Sequence, residues 1–215
     1  MKEMVVSLCD ITGHMVEPWL DAGYEAVLVD PQHGEGVRRE GSVVKIGHVV
    51  DHPATWECLR QLKRERRFAF GAAFPPCTDL AVSGARWFET KARKDWTFQF
   101  KAMHVVWQCQ AILEMLGCPW MLENPVSVIS TLWRKPDHIF NPHEYTIYAP
   151  EDNYNKTTLL WSGGGFVMPN ARKDSSLGEP DDRIHRAPPG DERANFRSAT
   201  PKGFARAVYL ANKDL

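Results

Sequence analysis

The chain has 215 residues, 43% of them hydrophobic and 25% charged, with a formal net charge of -1. That length suits one α/β domain able to bury a full core without staples, and the near-zero charge excludes a global attraction to nucleic acid, so any polyanion site must be a local patch. Five cysteines, an odd number with no Cys-x-x-Cys pair, argue against a disulfide framework and a zinc ribbon. No charged, apolar leader follows Met1 and no stretch approaches membrane-spanning length, so a cytoplasmic protein without membrane contact is expected.

Met4 to Cys9 reads as a short apolar strand, followed by a turn from Asp10 to Met15. Val16 to Ala22 reads as a helix with Pro18 in its first turn, Gly23 closes it, and Glu25 to Val29 is a second strand ending on Asp30. Strand, turn, helix, strand and acid in this order form the opening half of a nucleotide-binding βαβ unit; βαβ units without a cofactor share the pattern. Pro31 to Gly36 is a loop, and the charged stretch through Gly41 is expected to be exposed. Val43 to Val50, broken by Gly47, is placed as the third strand. Asp51, next along, is either a site acid or the N-cap of a helix from Ala54 to Arg66. His48 with His52 and His138 with His143 lack a third ligand at a convincing spacing, so no metal is expected.

Phe68 to Phe74 is an apolar run that stops at Pro75-Pro76-Cys77. Such a run bounded by breakers reads as an inner parallel strand, and in parallel sheets chemistry sits just past the carboxyl ends of the strands. The two prolines fix φ and remove two donors, so Cys77 rides on a stiff backbone suited to a nucleophile; a lone cysteine is otherwise most often an inert small hydrophobe. Thr78 to Phe88 starts helical and loops out. Arg86 and Trp87 are candidates for phosphate contact and stacking, with Lys91, Arg93 and Lys94 close behind. A solvated loop explains the same residues. Asp95 to Leu116 is the longest helical pattern, with Ala102, Val105, Val106, Cys109, Ile112, Leu113 and Leu116 on its core face and enough aromatic surface to be covered on more than one side.

Cys118 to Leu122 is a second apolar run, ending in Glu123-Asn124-Pro125. Ser127 to Leu132 reads as a short helix, the stretch to Tyr148 as loop, and Asn155 to Trp161 as a strand opened by Lys156. Gly163-Gly164-Gly165 makes a turn before Phe166-Val167-Met168. Asn170 to Asn195 is a polar loop or flap, and a last helix starts with Thr200 as N-cap and Pro201 at its first position.

Pro-Pro-Cys and Glu-Asn-Pro at two strand ends, 46 residues apart with a helix between, resemble the nucleophile and proton-donor motifs of the cytosine-C5 DNA methyltransferases, most closely the small members found in bacteriophages. The resemblance implies a Rossmann-like S-adenosylmethionine-dependent methyltransferase fold, with a mostly parallel central sheet and helices on both faces. It implies Cys77 as the covalent nucleophile, Glu123 as the acid at cytosine N3 and Asn124 as the residue that holds the loop. Lys156 takes the place where the family usually has arginine. Asp10, Thr12, Gly13 and Pro75 would hold the cofactor, Asp30 its ribose and Asp51 its adenine amino group.

Where DNA-specific members insert a large sequence-reading domain, 28 residues separate Met168 from Arg197. Residues 1–215 are therefore expected to be a single catalytic domain, with 170–196 as a loop or flap. Specificity for DNA is then low, or a separate partner supplies it, or the substrate is RNA or a free cytosine nucleotide. A non-catalytic nucleic-acid-binding module on the same fold stays open as well.

Overall fold

The computed structural model describes residues 3–184, 186 and 197–215. Strands β1 (Met4–Leu8), β2 (Glu25–Val29), β3 (Val37–Glu40), β4 (Val43–Ile46), β5 (Phe68–Ala73), β6 (Trp120–Pro125), β7 (His138–Phe140) and β8 (Thr158–Gly163) form one eight-stranded sheet in the order β3-β4-β2-β1-β5-β6-β8-β7. The five strands from β4 to β6 run parallel, while β3, β8 and β7 pair antiparallel with their neighbours. The helices are α1 (Glu17–Asp21), α2 (Pro53–Glu65), α3 (Phe88–Lys94), α4 (Phe98–Leu116), α5 (Ile129–Leu132) and α6 (Lys202–Asn212). From β1 the chain builds outward through β2 to β4, then returns to the other side of β1 with β5. The sheet's topological switch point therefore lies between β1 and β5.

Every residue of β1 and β5 is buried, the pattern of parallel strands covered on both faces. On one face Val6, Leu8 and Val27 pack with Leu59 of α2 and with Met103, Val106, Ile112 and Leu113 of α4. On the other, Val5, Leu28 and Phe70 pack with Trp19 of α1 and with Phe204, Ala207 and Val208 of α6. Trp19 stacks on Phe70 with ring centroids 5.3 Å apart and takes the edges of Tyr24 and Tyr209, both at 5.1 Å. Such geometry contributes beyond the area buried.

The third parallel strand is shorter than its apolar run, ending at Ile46 rather than Val50. Gly47 turns the chain there: its N–H donates to the Gly36 carbonyl at 2.8 Å, and a Cβ on it would stand 1.5 Å from the Gly34 carbonyl oxygen. The charged stretch before it is exposed, as its composition suggests, yet it forms β3, a fully exposed edge strand. Charged side chains are a common way to blunt such an edge, so no alternation marks it. The N-cap of α2 is His52, whose Nδ1 accepts from the Ala54 N–H at 3.2 Å, and not Asp51. Helix α4 begins at Phe98 because Asp95 closes a tight turn, accepting from the Thr97 N–H at 2.9 Å. Its aromatic surface is not covered on a second side: Trp96, Phe100 and Trp107 are exposed. The stretch expected as loop before Tyr148 contains the short edge strand β7, while Phe166 to Met168 forms no strand; there the Val167 backbone is clamped in both directions by the Asn212 side chain.

Helix α6 starts one residue later than its Thr-Pro signal suggests. Pro201 is the N-cap and Thr200 makes no capping bond. The cap comes instead from the buried Asp152, whose Oδ2 accepts from the Gly203 N–H at 2.7 Å. Burial pushes the Asp152 carboxyl up and this N–H pulls it back. Replacing Asp152 with alanine leaves a buried helix-end donor unanswered. Asp152→Ala should lower unfolding stability by about 1–3 kcal/mol in denaturant titration, and Asp152→Asn, which keeps an acceptor, by less.

Candidate active site

The carboxyl ends of β4, β2, β1, β5 and β6 lie along one edge of the sheet, and antiparallel β8 begins at that same edge. Glu123 of β6 pairs with Leu160 and Pro125 with Thr158. This register brings Lys156, two residues ahead of β8, back to Glu123, and its Nζ stands 3.8 Å from Glu123 Oε1 with both side chains largely buried. That is an ion pair and too long for a hydrogen bond. Oε1 has no hydrogen-bond partner among the described residues. Burial holds the Glu123 carboxyl above its ordinary range, with Lys156 opposing.

Cys77 sits past the end of β5, solvent-exposed. Its carbonyl accepts from the N–H groups of Leu80 and Ala81 at 3.0 and 2.8 Å, which closes a tight turn around it. The buried Asn124 amide donates to the Pro75 carbonyl at 2.9 Å, fixing the loop from the β6 side. Two backbone bonds complete the join: Val82 N–H to Val126 O at 3.0 Å and Val128 N–H to Leu80 O at 2.9 Å. Surrounding protein pushes the thiol up, and the Glu123 carboxylate adds to this, against the charges of Lys156 and Arg197. The thiol, the buried acid and the lysine thus act on one another electrostatically.

A second group gathers at the ends of β1 and β2. Asp10 is consumed by its own turn: Oδ1 accepts from the N–H groups of Thr12 and Gly13 at 2.9 and 2.8 Å and from the Thr12 hydroxyl, and Oδ2 accepts from the Ser7 hydroxyl at 2.7 Å. Both of its oxygens are engaged in shaping the turn. Gly13 turns with φ +71° and points its N–H inward. Asp30 accepts from the Gln32 N–H through Oδ1 only, at 2.8 Å. Asp51 is exposed and 3.5 Å from His104 Nε2 on α4. Pro75 is buried beneath the Cys77 loop. Between that loop and the start of α4 lies a cleft of about 310 Å³, lined by Pro76, Thr78, Asp79, Phe98, Ala102 and Val105 among others.

Of the four cations placed on a polyanion surface, Lys91 is tied to Asp79 at 2.5 Å and to the Thr78 carbonyl, where it braces the Cys77 loop. Arg93 pairs with Glu89 at 2.6 Å, Arg86 lies over the exposed Trp87 ring, and Lys94 is exposed. Arg86 and Lys94 have no ion pair among the described residues, so the patch is smaller than its sequence suggests.

No family model and no curated protein matches the sequence. Among solved structures the chain is similar to a candidate DNA modification methyltransferase encoded within an E. coli prophage, with 13% identity and a TM-score of 0.42 over 75% of this chain and 46% of that one. The chain spans less than half the length of that protein.

Two contributors carried no sequence signal. His33 is buried between the loops that follow β1 and β2, its Nε2 3.0 Å from the Asp10 carbonyl oxygen, and so braces one against the other. Arg197 reaches the Cys77 field from the far end of the chain. At alkaline pH, where the Cys77 thiol titrates, removing the Glu123 charge removes a raising influence. The midpoint of Cys77 alkylation by iodoacetamide, followed by mass spectrometry against pH, should lie above the usual thiol range in the wild type and fall in Glu123→Gln.

Proposed function

We propose that the chain is a Rossmann-like, S-adenosylmethionine-dependent methyltransferase that modifies C5 of cytosine in DNA with low sequence specificity, as a single catalytic domain over residues 1–215. The observation that carries this reading is the joining of the Pro-Pro-Cys loop to a buried carboxyl and lysine by Asn124 and the Val82 and Val128 backbone bonds. The 3-2-1-4-5 arrangement of the parallel strands supports a nucleotide-derived ligand outside their carboxyl ends, at the switch point. Asp30 fits the ribose hydroxyls, because Oδ2 accepts no bond within the described residues. Thr12 and Gly13 would line the turn that Asp10 shapes, Pro75 would support the floor beneath, and Asp51 would serve the adenine end. When bound, S-adenosylmethionine supplies an electrophilic methyl group.

Cytosine C5 is a poor nucleophile until a thiolate adds at C6 and makes the ring an enamine. The Cys77 sulfur forms that bond as its proton leaves to solvent. Glu123, held toward its protonated form by burial, donates to N3 and neutralises the charge that develops there. Lys156 answers the carboxylate when the proton has passed. After C5 gains its methyl group, loss of the C5 proton to a solvent base re-forms the double bond and expels the Cys77 thiolate. In a duplex the base must first leave the stack. Arg86 and Lys94, with Lys91 and Arg93 behind their ion pairs, are the proposed phosphate contacts.

With 28 residues between Met168 and Arg197, few base-edge contacts would be possible beyond the target, and phosphate contacts position without specifying. Bisulfite sequencing of DNA from expressing cells should show 5-methylcytosine in a context of about one to three bases, and none with Cys77→Ser. Methylation by the serine variant, or a site of four or more fixed bases from the purified protein, would sink the mechanism or the specificity respectively.

Loss of a charged hydrogen-bond acceptor is worth about 1.5–3 kcal/mol, so Asp30→Ala should weaken S-adenosylmethionine roughly ten- to a hundred-fold in calorimetry. An unchanged affinity in a folded variant places the ribose elsewhere.

A further inference from the structure

Cys9 and Cys109 belong to no part of the proposed chemistry, yet their sulfurs face each other at 3.8 Å across the core. Cys9 is where β1 ends, and among the described residues it is the one non-glycine with a left-handed backbone, φ +56°. A side chain at such a φ is strained, and the conformation persists because the Cys9 N–H is held by the Val29 carbonyl at 2.7 Å. It therefore sits at the junction of β1, β2 and the Asp10–Gly13 turn. Cys109 is fully buried on the inner face of α4, the helix whose first turns wall the cleft beside Cys77. Cys9 is only partly buried, whereas Cys109 is fully enclosed, so Cys9 is the more accessible member of the pair.

We propose that Cys9 and Cys109 are a peroxide-oxidisable pair whose reversible disulfide ties α4 to the end of β1 and reshapes the Asp10–Gly13 turn. Its hydrogen bond with the Cys9 sulfur, together with burial, pushes the Cys109 thiol well above the usual range, and Cys9 is the less buried of the two, so the first attack falls to Cys9. The Cys9 sulfur attacks a peroxide oxygen, the O–O bond breaks, and a sulfenic acid remains on Cys9 while water or an alcohol departs. The Cys109 sulfur then attacks the Cys9 sulfur; the S–S bond forms, the S–O bond breaks, and the hydroxyl leaves as water with the Cys109 proton. Two thiols lose two electrons and two protons, and the peroxide is reduced. A disulfide needs about 2.05 Å between sulfurs, so the pair must close by about 1.8 Å. Cys9 lies next to Asp10 in sequence, and Asp10 carries three of the bonds that define the turn, so any part of that movement taken up by the Cys9 backbone passes to the turn.

Cys77→Ser removes the exposed thiol and leaves four of the five cysteines for the test. After hydrogen peroxide treatment and denaturation, titratable thiols should fall from four to two and return with dithiothreitol. A tryptic map should contain one peptide joining Cys9 to Cys109. Deuterium exchange of the amides between Asp10 and Gly13 should differ between the reduced and oxidised protein. Adding Cys109→Ser, or Cys109→Ala if serine disturbs folding, should stop the reaction at a sulfenic acid on Cys9 that dimedone traps. Four surviving thiols, a cross-link to Cys58 or Cys118 instead, or unaltered exchange in the turn would overturn the proposal. A loss of S-adenosylmethionine affinity on oxidation rests on the proposed function. Failure of the reduced protein to bind that ligand in calorimetry would count against that function alone, since the peptide map and exchange data are read without ligand.

Discussion

A carboxyl group taken out of water is costly unless charge and hydrogen bonds answer it, and the Glu123 pocket answers it with one cation at 3.8 Å and no hydrogen bond to Oε1. The arrangement depends on a reversal of strand direction. Five parallel strands deliver their carboxyl ends to one edge, and an antiparallel β8 must start where β6 stops, so the residue leading into β8 is placed opposite the residue leading out of β6. Had β8 run parallel, Lys156 would lie at the far edge and Glu123 would be buried alone. The buried acid and its cation are thus a product of topology before they are a product of side-chain choice.

The same reversal explains how an exposed thiol comes under the influence of a buried pair. Strand β5 lies between β1 and β6, so the loop after it is flanked by the Asp10 turn on one side and by Pro125–Val128 on the other. Asn124 spans the second boundary and cannot be replaced by a carboxylate without losing the N–H that reaches the Pro75 carbonyl. Lys91 braces the loop from outside by holding Asp79 and the Thr78 carbonyl. A side chain that reads as a phosphate contact is, in the folded chain, also tied to the loop that carries the cysteine. Being only partly buried, that ion pair is worth little in stability, and its importance lies in the geometry it holds.

The inner strands were legible because strands covered on both faces read as largely apolar runs, as β1, β2, β5 and the first half of β6 do. The edge strands were not. β3 is charged and exposed along its whole length, and β7 is three residues long, so neither carries a periodicity that separates it from loop. Capping failed for a related reason. Asp51 and Thr200 are good local caps, but His52 and the distant Asp152 fill those roles, and a bond between residues 51 positions apart leaves no local trace. Within the candidate site the motifs Pro-Pro-Cys and Glu-Asn-Pro were readable as pairs of residues at strand ends. The interactions that join them, and the bracing by His33, come from loops meeting in space. The flap expected over 170–196 falls partly on 185 and 187–196, outside the described residues.

The space around Glu123 bears on how any ring reaches it. The cavity bounded by Phe74, Glu123, Phe140, Lys156, Thr200 and Phe204, among others, has about 10 Å³ of free volume, room for about one water molecule and far less than a pyrimidine needs. The floor is strand and cannot yield without breaking the sheet. Phe204 is stacked on Phe140 at 3.8 Å and its helix is pinned by Asp152 at Gly203, so the wall is fixed from that residue onward. The approach to the helix also lines the cavity, through Ser198, Thr200 and Pro201. Arg197 is one of the two cations that draw the Cys77 thiol toward its charged form. The stretch that closes this side of the acid's pocket thus begins with a cation that acts on the thiol, so one short segment borders Glu123 and bears on Cys77.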